Sequence, residues 1–313
     1  MDTLNFILIG AGGMGKRWAG AISRNAHTKL CAVIDTDLER AKKVSDEFGA
    51  EAHGSLESVG EFDAAVVVLP HNLLAETGKK ILTLGKHVIV EKPAARTLQE
   101  LTEVVALAKE KHRTFMVAYN HRFHPSSLEA KKLIDEGFIG KPMFMRAVYG
   151  FGGRPDYEKE WRHKKEISGG GELIDQGVHL IDFARWFLGD IAEAKGMLEN
   201  AFWKSGVEDN AFVLLQHASG AVSSLHASWS QWKATYALEI EGTDGYIRIE
   251  GLGKKYGGTE RVYYAKRKDD FSAPEEQMIE CDTNADRSLE RTLDEFVSAI
   301  QEKREPKPSG EDG

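Results

Sequence analysis

A glycine-rich turn between an apolar strand and a helix is the feature that most constrains this chain. Residues 4–9 form a short apolar run of strand length, and residues 16–22 have a helical pattern. Between them lies Gly10-Ala11-Gly12-Gly13-Met14-Gly15, and Asp35 ends the next apolar run, twenty residues beyond the last glycine. This order and spacing predict a dinucleotide-binding βαβ unit. A glycine-rich turn in some other α/β fold is the alternative.

Each of three glycines in this turn has a physical role. Gly10 permits the tight turn, Gly12 lets a pyrophosphate approach the backbone, and Gly15 lets the helix pack closely on the strand. The phosphates would then bind N–H groups at the positive end of the helix dipole. Asp35 would accept hydrogen bonds from an adenosine ribose and repel a 2′-phosphate, while Thr36 adds no positive charge. We therefore expect NAD rather than NADP.

The pattern of elements predicts two domains in the 313 residues. Strands and helices alternate from residue 4 to about 120, which is typical of a doubly wound parallel sheet. Strand-like runs joined by short turns follow from residue 143 onward, interrupted by one helix over 172–188. The sequence therefore predicts a domain at 1–121 and an α+β domain at 122–313, whose large sheet is mainly antiparallel.

Composition excludes some classes of partner. A net charge of −8 argues against nucleic acid or an anionic membrane as a binding partner. The hydrophobic content of 42% is that of an ordinary globular protein. With no membrane-length apolar run and no leader at its start, the chain is expected to be cytoplasmic.

Glu91-Lys92-Pro93 directly follows the buried strand predicted at 87–90. Ligands of open α/β sheets bind beyond the carboxyl ends of the strands, so Lys92 is expected at the ligand-binding edge. A lysine there can hold a substrate hydroxyl or transfer its proton. A solvated turn lysine is the alternative.

A glycine triplet at 169–171 precedes the helix predicted at 172–188. Within that helix Asp175 and His179 are four residues apart and share a face. A carboxylate one turn from an imidazole can fix its tautomer and raise its basicity, as a general base requires. A buried His–Asp pair satisfied within the core is the alternative, and Asp182, one turn on, is expected to be structural.

Two further segments carry polar candidates. Asn120 ends the last parallel strand and could bind sugar hydroxyls or the cofactor, and Arg122 could bind a substrate oxygen. His121 and His124 lack further residues at metal-ligand spacing, so no metal site is expected. In the loop before the glycine triplet, Trp161-Arg162 could stack on a cofactor or sugar ring, or Trp161 could simply anchor the loop.

These pieces together resemble the Gfo/Idh/MocA oxidoreductases, in the order and spacing of that family. The matching segments are residues 10–15, Asp35, 85–93, 120–125, 161–162 and 169–182. The resemblance implies a Rossmann domain plus a domain with an open-faced sheet, whose outer face commonly forms a homodimer or homotetramer contact. It also implies hydride transfer between a nicotinamide and a carbon of a sugar or cyclitol.

The resemblance assigns roles to individual residues. It implies a catalytic set of Lys92, Asp175 and His179, with proton transfer by either His179 or Lys92, and the same three residues with Arg122 as substrate contacts. The implied cofactor contacts are Gly10, Gly12, Gly13, Met14, Gly15, Asp35, Leu69, Pro70, Asn72, Glu91, Lys92, Asn120, Trp161 and Arg162. The chain departs from the family at Leu74, where many members have histidine, and residues 308–313 resemble the start of the family's last helix.

Three functions remain open at this stage. The sequence favours an NAD(P)-dependent dehydrogenase or reductase of a sugar, sugar derivative or cyclitol. A redox-assisted glycoside hydrolase and a non-catalytic, cofactor-binding regulator are the alternatives. Basic residues at 154, 159, 162 and 164 leave room for a phosphorylated, nucleotide-linked or acidic sugar, unless they form a solvated loop face.

Overall fold

A computed structural model of the chain describes residues 3–282 and 286–313. The chain forms two compact units, one of residues up to Asn120 together with Arg287–Gly313, and one of His121–Asp286. The predicted boundary between 121 and 122 lies one residue from the observed division. The expectation that 122–313 forms a single domain needs correction, because the last 27 residues belong to the first unit.

The first unit is built on a six-stranded sheet in the order β3-β2-β1-β4-β5-β6, and all of its strand pairs are parallel. Its strands are β1 Leu4–Ile9, β2 Thr28–Ile34, β3 Glu51–His53, β4 Ala64–Val67, β5 His87–Glu91 and β6 Phe115–Ala118. The central strands are buried on both faces, as a sheet between two helix layers requires. The strand order reverses between β1 and β4, which is where ligands of such sheets bind.

Helices connect these parallel strands: α1 Gly13–Arg24, α2 Leu38–Phe48, α3 His71–Thr83 and α4 Leu98–Lys111. The Asp37 side chain caps α2 by accepting the Arg40 N–H, and Thr97 caps α4 by accepting the Glu100 N–H. Such side-chain oxygens satisfy N–H groups that have no acceptor within the helix. Local cap chemistry therefore fixes where both helices begin.

The second unit contains an eight-stranded sheet in the order β14-β13-β12-β11-β7-β10-β9-β8. Its strands are β7 Pro142–Gly150, β8 Ile191–Glu199, β9 Asn210–His217, β10 Val222–Ser228, β11 Thr235–Gly242, β12 Gly245–Leu252, β13 Tyr256–Lys266 and β14 Gln277–Glu280. Only the pairing of β7 with β10 is parallel among the described strand pairs of this sheet. The predicted mainly antiparallel sheet is confirmed.

Helices of this unit are α5 Pro125–Asp135, α6 Lys165–Ser168 and α7 Val178–Leu188. Residues Leu173–Gly177, which were predicted to begin one long helix, form a π-helical turn instead. Such turns occur frequently at functional sites. The predicted helix over 172–188 is therefore a π-helical turn followed by α7.

The large sheet has one buried and one exposed face. On β7, Met145, Ala147 and Tyr149 are buried, and they belong to the same core as Leu180 and Phe183 of α7. The opposite face, which we call the open face, carries large exposed apolar side chains. These include Phe144, Phe212, Leu214, Val222 and Met278.

The last helix, α8 Ser288–Glu302, returns to the first unit and packs on α1. Its Phe296 is buried edge-to-face against Phe6 of β1, with ring centroids 6.2 Å apart. Asn25 donates to Asp294 at 2.7 Å, which fastens the end of α1 to α8. Among the helices of the described residues, none combines the length and the apolar composition needed to cross a bilayer.

Candidate functional site

The glycine turn of the first unit has two crowded and two open positions. Gly10 has a φ of +102°, and a Cβ there would lie 2.0 Å from the Val68 carbonyl oxygen. A Cβ on Gly15 would lie 1.9 Å from the Gly10 carbonyl oxygen. At Gly12 and Gly13, by contrast, an added Cβ would have no atom of the described residues within 4 Å, apart from its chain neighbours and the adjoining backbone of α1. The fold therefore needs the first and last glycines, while the middle pair leaves room at the start of α1 for a pyrophosphate.

Asp35 lies buried at the tip of β2 and holds the turn in place. Its carboxylate accepts the Ala11 N–H at 2.9 Å and the Asp37 N–H at 2.9 Å. The guanidinium of Arg40 places Nη1 3.5 Å from Asp35 Oδ2, and Nη2 3.1 Å from Asp37 Oδ2. The acid predicted to bind the ribose thus accepts two backbone N–H groups of its own chain, and the Arg40 cation lies beside it.

The ends of β4 and β5 present further polar groups. The side-chain oxygen of Asn72 is buried, and no residue among 3–282 and 286–313 supplies it with a hydrogen bond. An unsatisfied buried acceptor in a native fold calls for a partner, and the carboxamide N–H of a nicotinamide has the required chemistry. Pro70, which precedes α3, and Leu69 are half-buried at the same strand end.

Glu91 and Lys92 follow directly at the end of β5. The Glu91 carboxyl is buried and accepts the indole N–H of Trp18 at 2.7 Å, which ties β5 to α1. Burial raises the pKa of Glu91. Lys92 is half-buried. Asn120, predicted to bind sugar hydroxyls or cofactor, donates to the Ser288 hydroxyl at 2.9 Å in the first unit.

In the second unit, Asp175 and His179 are both buried, in the π-helical turn and the first turn of α7. Asp175 accepts the Nε–H of Arg162 at 3.1 Å. Burial disfavours the Arg162 cation, but Asp175, Tyr157 and Glu160 together outweigh that effect and raise the pKa of Arg162. The ring of His179 stacks on that of His121, with centroids 3.5 Å apart and planes 15° apart. Sequence reasoning missed both contacts.

The glycine triplet at 169–171 lets another segment come close. A Cβ on Gly171 would lie 1.9 Å from the Glu208 carbonyl oxygen. The Glu208 carboxylate accepts the N–H groups of Gly171 at 3.0 Å and Leu173 at 3.2 Å. Glu208 therefore holds the start of the π-helical turn, and with it Asp175. No sequence signal had pointed to Glu208.

Arg122 has a structural partner. Its Nε–H donates to Asp182 Oδ2 at 2.9 Å and its Nη2 to Oδ1 at 2.5 Å, and both side chains are buried. This bidentate pair joins the segment after residue 120 to α7. The contacts favour a positioning role over the predicted contact with a substrate oxygen.

Most basic side chains of the loop before the π-helical turn are paired with acids. Arg154 pairs with Glu160 at 2.5 Å, and Lys159 with Asp156 at 2.5 Å. Arg162, as described above, pairs with Asp175. Since these cations are offset within the unit, the loop fits the solvated alternative better than a site for an acidic sugar. Within the described residues, no group of three or more His, Cys, Asp or Glu side chains has a metal-binding arrangement.

Comparison with known protein families matches both parts of the chain. A model described as an oxidoreductase family with an NAD-binding Rossmann fold matches residues 4–119. A model described as the GFO/IDH/MocA C-terminal domain matches residues 127–248. The two matched segments fall in the first and second units, respectively.

Similar proteins include dehydrogenases of sugars and cyclitols. Levoglucosan dehydrogenase of Pseudarthrobacter phenanthrenivorans is 31% identical over 286 residues, covering 79% of this chain and 73% of that protein. Inositol 2-dehydrogenase of Rhizobium meliloti is 27% identical over 326 residues, covering 99% and 93%. A structure of levoglucosan dehydrogenase with NADH and levoglucosan superposes with a TM-score of 0.90 at 25% identity, covering 99% and 93%.

Proposed function

The chain belongs to the Gfo/Idh/MocA oxidoreductases, and from that premise we propose that it oxidises one hydroxyl-bearing carbon of an uncharged sugar or cyclitol with NAD. The family accounts for the enzyme class and the cofactor. The observation that carries the rest is the buried pair of Asp175 and His179 on one helical segment. A histidine one helical turn from a carboxylate suits a general base that removes a hydroxyl proton.

The proposed chemistry balances as one hydride and one proton. When bound, NAD accepts the hydride from the substrate C–H, as nicotinamide cofactors do. His179 takes the proton of the substrate hydroxyl, so the carbon becomes a carbonyl carbon. Asp175 stabilises the resulting imidazolium, and Lys92 donates a hydrogen bond to the oxygen as negative charge develops on it. Exchange of the proton-carrying role between His179 and Lys92 is the variant of this scheme.

Charge within the second unit supports an uncharged substrate. Arg154, Lys159 and Arg162 each have a carboxylate partner, so they offer little unbalanced positive charge to a phosphate or a sugar acid. Two of the similar proteins are named for uncharged substrates, levoglucosan and inositol. We propose that the substrate is a neutral cyclic polyol of this kind rather than a nucleotide-linked sugar.

A substrate panel tests this proposal. We expect NADH to form when the protein is mixed with NAD and levoglucosan, myo-inositol, scyllo-inositol or related neutral polyols. His179→Asn and Lys92→Met should each lower kcat by about 10²–10⁴, and His179→Asn should leave NADH binding, followed by fluorescence titration, unchanged. Full turnover by His179→Asn would contradict the proposed base.

The alternatives make different predictions in the same assay. A redox-assisted glycoside hydrolase would cleave a glycoside without net formation of NADH. A non-catalytic regulator would bind NADH but give no absorbance change with any member of the panel. Either result would contradict a dehydrogenase.

We also propose that the chain assembles as a homodimer or homotetramer through the open face of its large sheet. The exposed apolar side chains on that face support this, since monomeric proteins rarely expose large contiguous apolar patches.

A further inference from the structure

One residue of the second unit binds three consecutive N–H groups where the π-helical turn begins. The Glu208 carboxylate accepts the N–H of Gly171 through Oε2 at 3.0 Å and the N–H of Leu173 through Oε1 at 3.2 Å. Its main-chain carbonyl oxygen accepts the N–H of Glu172 at 3.1 Å. The first N–H groups of a helical segment have no acceptor within that segment. Glu208, which lies just before β9, therefore supplies the acceptors from another part of the chain.

These bonds help to determine where Asp175 lies. The Asp175 N–H donates to the Gly171 carbonyl oxygen at 3.1 Å, so the backbone of Asp175 is tied to that of Gly171. Gly171 in turn lies directly against Glu208, because a Cβ at Gly171 would come within 1.9 Å of the Glu208 carbonyl oxygen. A displacement of Glu208 would therefore move Gly171 and, with it, Asp175.

The loop that carries Glu208 also holds a partner of Asp175. This loop, residues 200–209, joins β8 to β9. The hydroxyl of its Ser205 donates to a carbonyl oxygen of the same loop at 3.3 Å and lies 2.8 Å from Nδ1 of the buried His163. The hydroxyl oxygen therefore accepts the Nδ1–H of His163. His163 directly follows Arg162, whose Nε–H donates to Asp175 at 3.1 Å.

Asp209 closes the β8–β9 loop. Its buried carboxylate accepts the N–H groups of Ala201 at 2.9 Å, Phe202 at 2.7 Å and Trp203 at 2.8 Å. Burial alone would raise the pKa of Asp209, but these N–H groups and the Asn210 side chain outweigh burial and lower that pKa. The start of the loop is thus bonded to its end. A loop closed in this way can hold two neighbouring segments at a fixed separation.

We propose that Glu208 is a positioning residue for the reaction. It fixes the start of the π-helical turn and so keeps Asp175 where that carboxylate can stabilise the His179 imidazolium. The same loop fixes Arg162, so both members of the Arg162–Asp175 ion pair are held by one loop. This role rests on the proposed function, in which Asp175 acts on His179. Misplacing a catalytic group by about 1 Å can cost about a hundredfold in rate, which sets the size of the expected effect.

Hydrogen exchange followed by mass spectrometry tests the geometry without any substrate. Glu208→Ala removes two of the three acceptors, so amide exchange in peptides that cover 171–175 should become about tenfold faster or more. Glu208→Gln keeps one side-chain acceptor and should give an intermediate rate. Peptides from β12 should exchange as they do in the native protein. Unchanged exchange at 171–175 in Glu208→Ala would overturn the inference, whether or not a substrate has been found.

A double-mutant cycle tests whether Glu208 acts through Asp175. In the native background, Glu208→Ala should lower kcat by about 10- to 100-fold. In the Asp175→Asn background the same change should lower kcat by less than about twofold, because the group through which it acts has already been lost. Equal losses in the two backgrounds would overturn the positioning role. If His179→Asn keeps full turnover, the proposed function fails and the kinetic role with it, while exchange at 171–175 still decides whether Glu208 holds the turn.

Ile249→Ala is the matched control for a general loss of stability. Ile249 of β12 is buried in the core of the same unit, and three strands separate β12 from β9. The variant loses buried methyl groups, so its unfolding midpoint should fall, as that of Glu208→Ala should. Its kcat and its exchange at 171–175 should nevertheless stay within about twofold of the native values. A loss of kcat as large as that of Glu208→Ala would attribute both effects to destabilisation and overturn the positioning role.

Discussion

At the scale of single residues, the pairing of Arg122 with Asp182 decides between two roles for the arginine. The pair is bidentate and buried. Arg122→Met leaves an uncompensated buried carboxylate, which should lower the free energy of unfolding by about 3–5 kcal/mol. The double variant Arg122→Met/Asp182→Leu removes both charges and should recover most of that loss.

Urea unfolding of both variants measures the effect, and KM for the substrate provides the contrast. A positioning role predicts that the double variant recovers stability with a KM close to the native value. A stable single variant with a strongly raised KM would contradict this and restore the contact with a substrate oxygen that the sequence had predicted.

We expect Asp35 and Arg40 together to set the choice between NAD and NADP. In the native protein, Arg40 Nη1 lies 3.5 Å from Asp35 Oδ2. Asp35→Ser removes the carboxylate that repels a 2′-phosphate and leaves the Arg40 guanidinium to bind that phosphate. We expect NADPH to bind at least about tenfold more tightly to this variant, equivalent to about 1.4 kcal/mol. NADH should bind more weakly.

Fluorescence titration with both reduced cofactors checks this expectation. Adding Arg40→Ala to Asp35→Ser should abolish the gain in NADPH affinity. If the double variant binds NADPH as tightly as Asp35→Ser does, Arg40 has no part in cofactor selectivity.

Local chemistry explains which residues could be predicted. The cap at Asp37 and the close approach of Gly15 to the Gly10 carbonyl depend on neighbours a few residues away, so their sequence patterns are informative. Arg162 and Asp175 are 13 residues apart, and His121 lies on a different segment from His179. Those contacts depend on how distant segments pack, which no local pattern specifies.

At the scale of elements, two glycines of the turn before α1 have different roles: Gly15 is needed for folding and Gly12 for cofactor binding. Gly15→Ala places a Cβ against the Gly10 carbonyl and should lower the stability of the fold by about 1–3 kcal/mol. Gly12→Ala meets open space and changes only a helix cap, so its cost should stay under about 1 kcal/mol. Its Cβ would nonetheless occupy the space into which the pyrophosphate must come.

Thermal unfolding and NADH titration of the two variants distinguish these effects. Gly12→Ala should keep its unfolding midpoint within a few degrees of the native one and lose about tenfold or more in NADH affinity. Unchanged NADH binding by Gly12→Ala would mean that the pyrophosphate does not approach the backbone at this turn.

Elements of the first unit were predictable because buried parallel strands are short, uninterrupted apolar runs. The predicted helix over 172–188 was wrong at its start, where Leu173–Gly177 forms a π-helical turn. The apolar spacing of this segment fits an α-helix as well, because the wider turn depends on outside contacts. One such contact is the Glu208 carboxylate, which accepts two N–H groups at this point.

At the scale of the whole molecule, the sequence pattern of α8 could not predict which part of the protein this helix packs against. The apolar stripe of α8 predicts that one face is buried, but it does not specify which sheet covers it. In the structure that face packs within the first unit, where Phe296 contacts Phe6. The chain therefore leaves the first unit at residue 120 and returns to it at 287, which a division into consecutive domains cannot represent.

The open face of the large sheet leads to a prediction about assembly. Buried and exposed residues alternate along β9, and Phe212 and Leu214 are on its exposed side. Of the Leu214 surface, 54% is exposed. A charge at the centre of an apolar contact must be desolvated without a partner, which is costly. Leu214→Lys should therefore shift the protein from an oligomer to a monomer, measured by light scattering after gel filtration.

Leu98→Lys is the matched control, because it introduces the same charge at a leucine of α4 that is 80% exposed in the first unit, and it should leave the mass unchanged. A native protein that elutes as a monomer, or a Leu214→Lys variant that remains fully assembled, would show that this face is not the contact between copies.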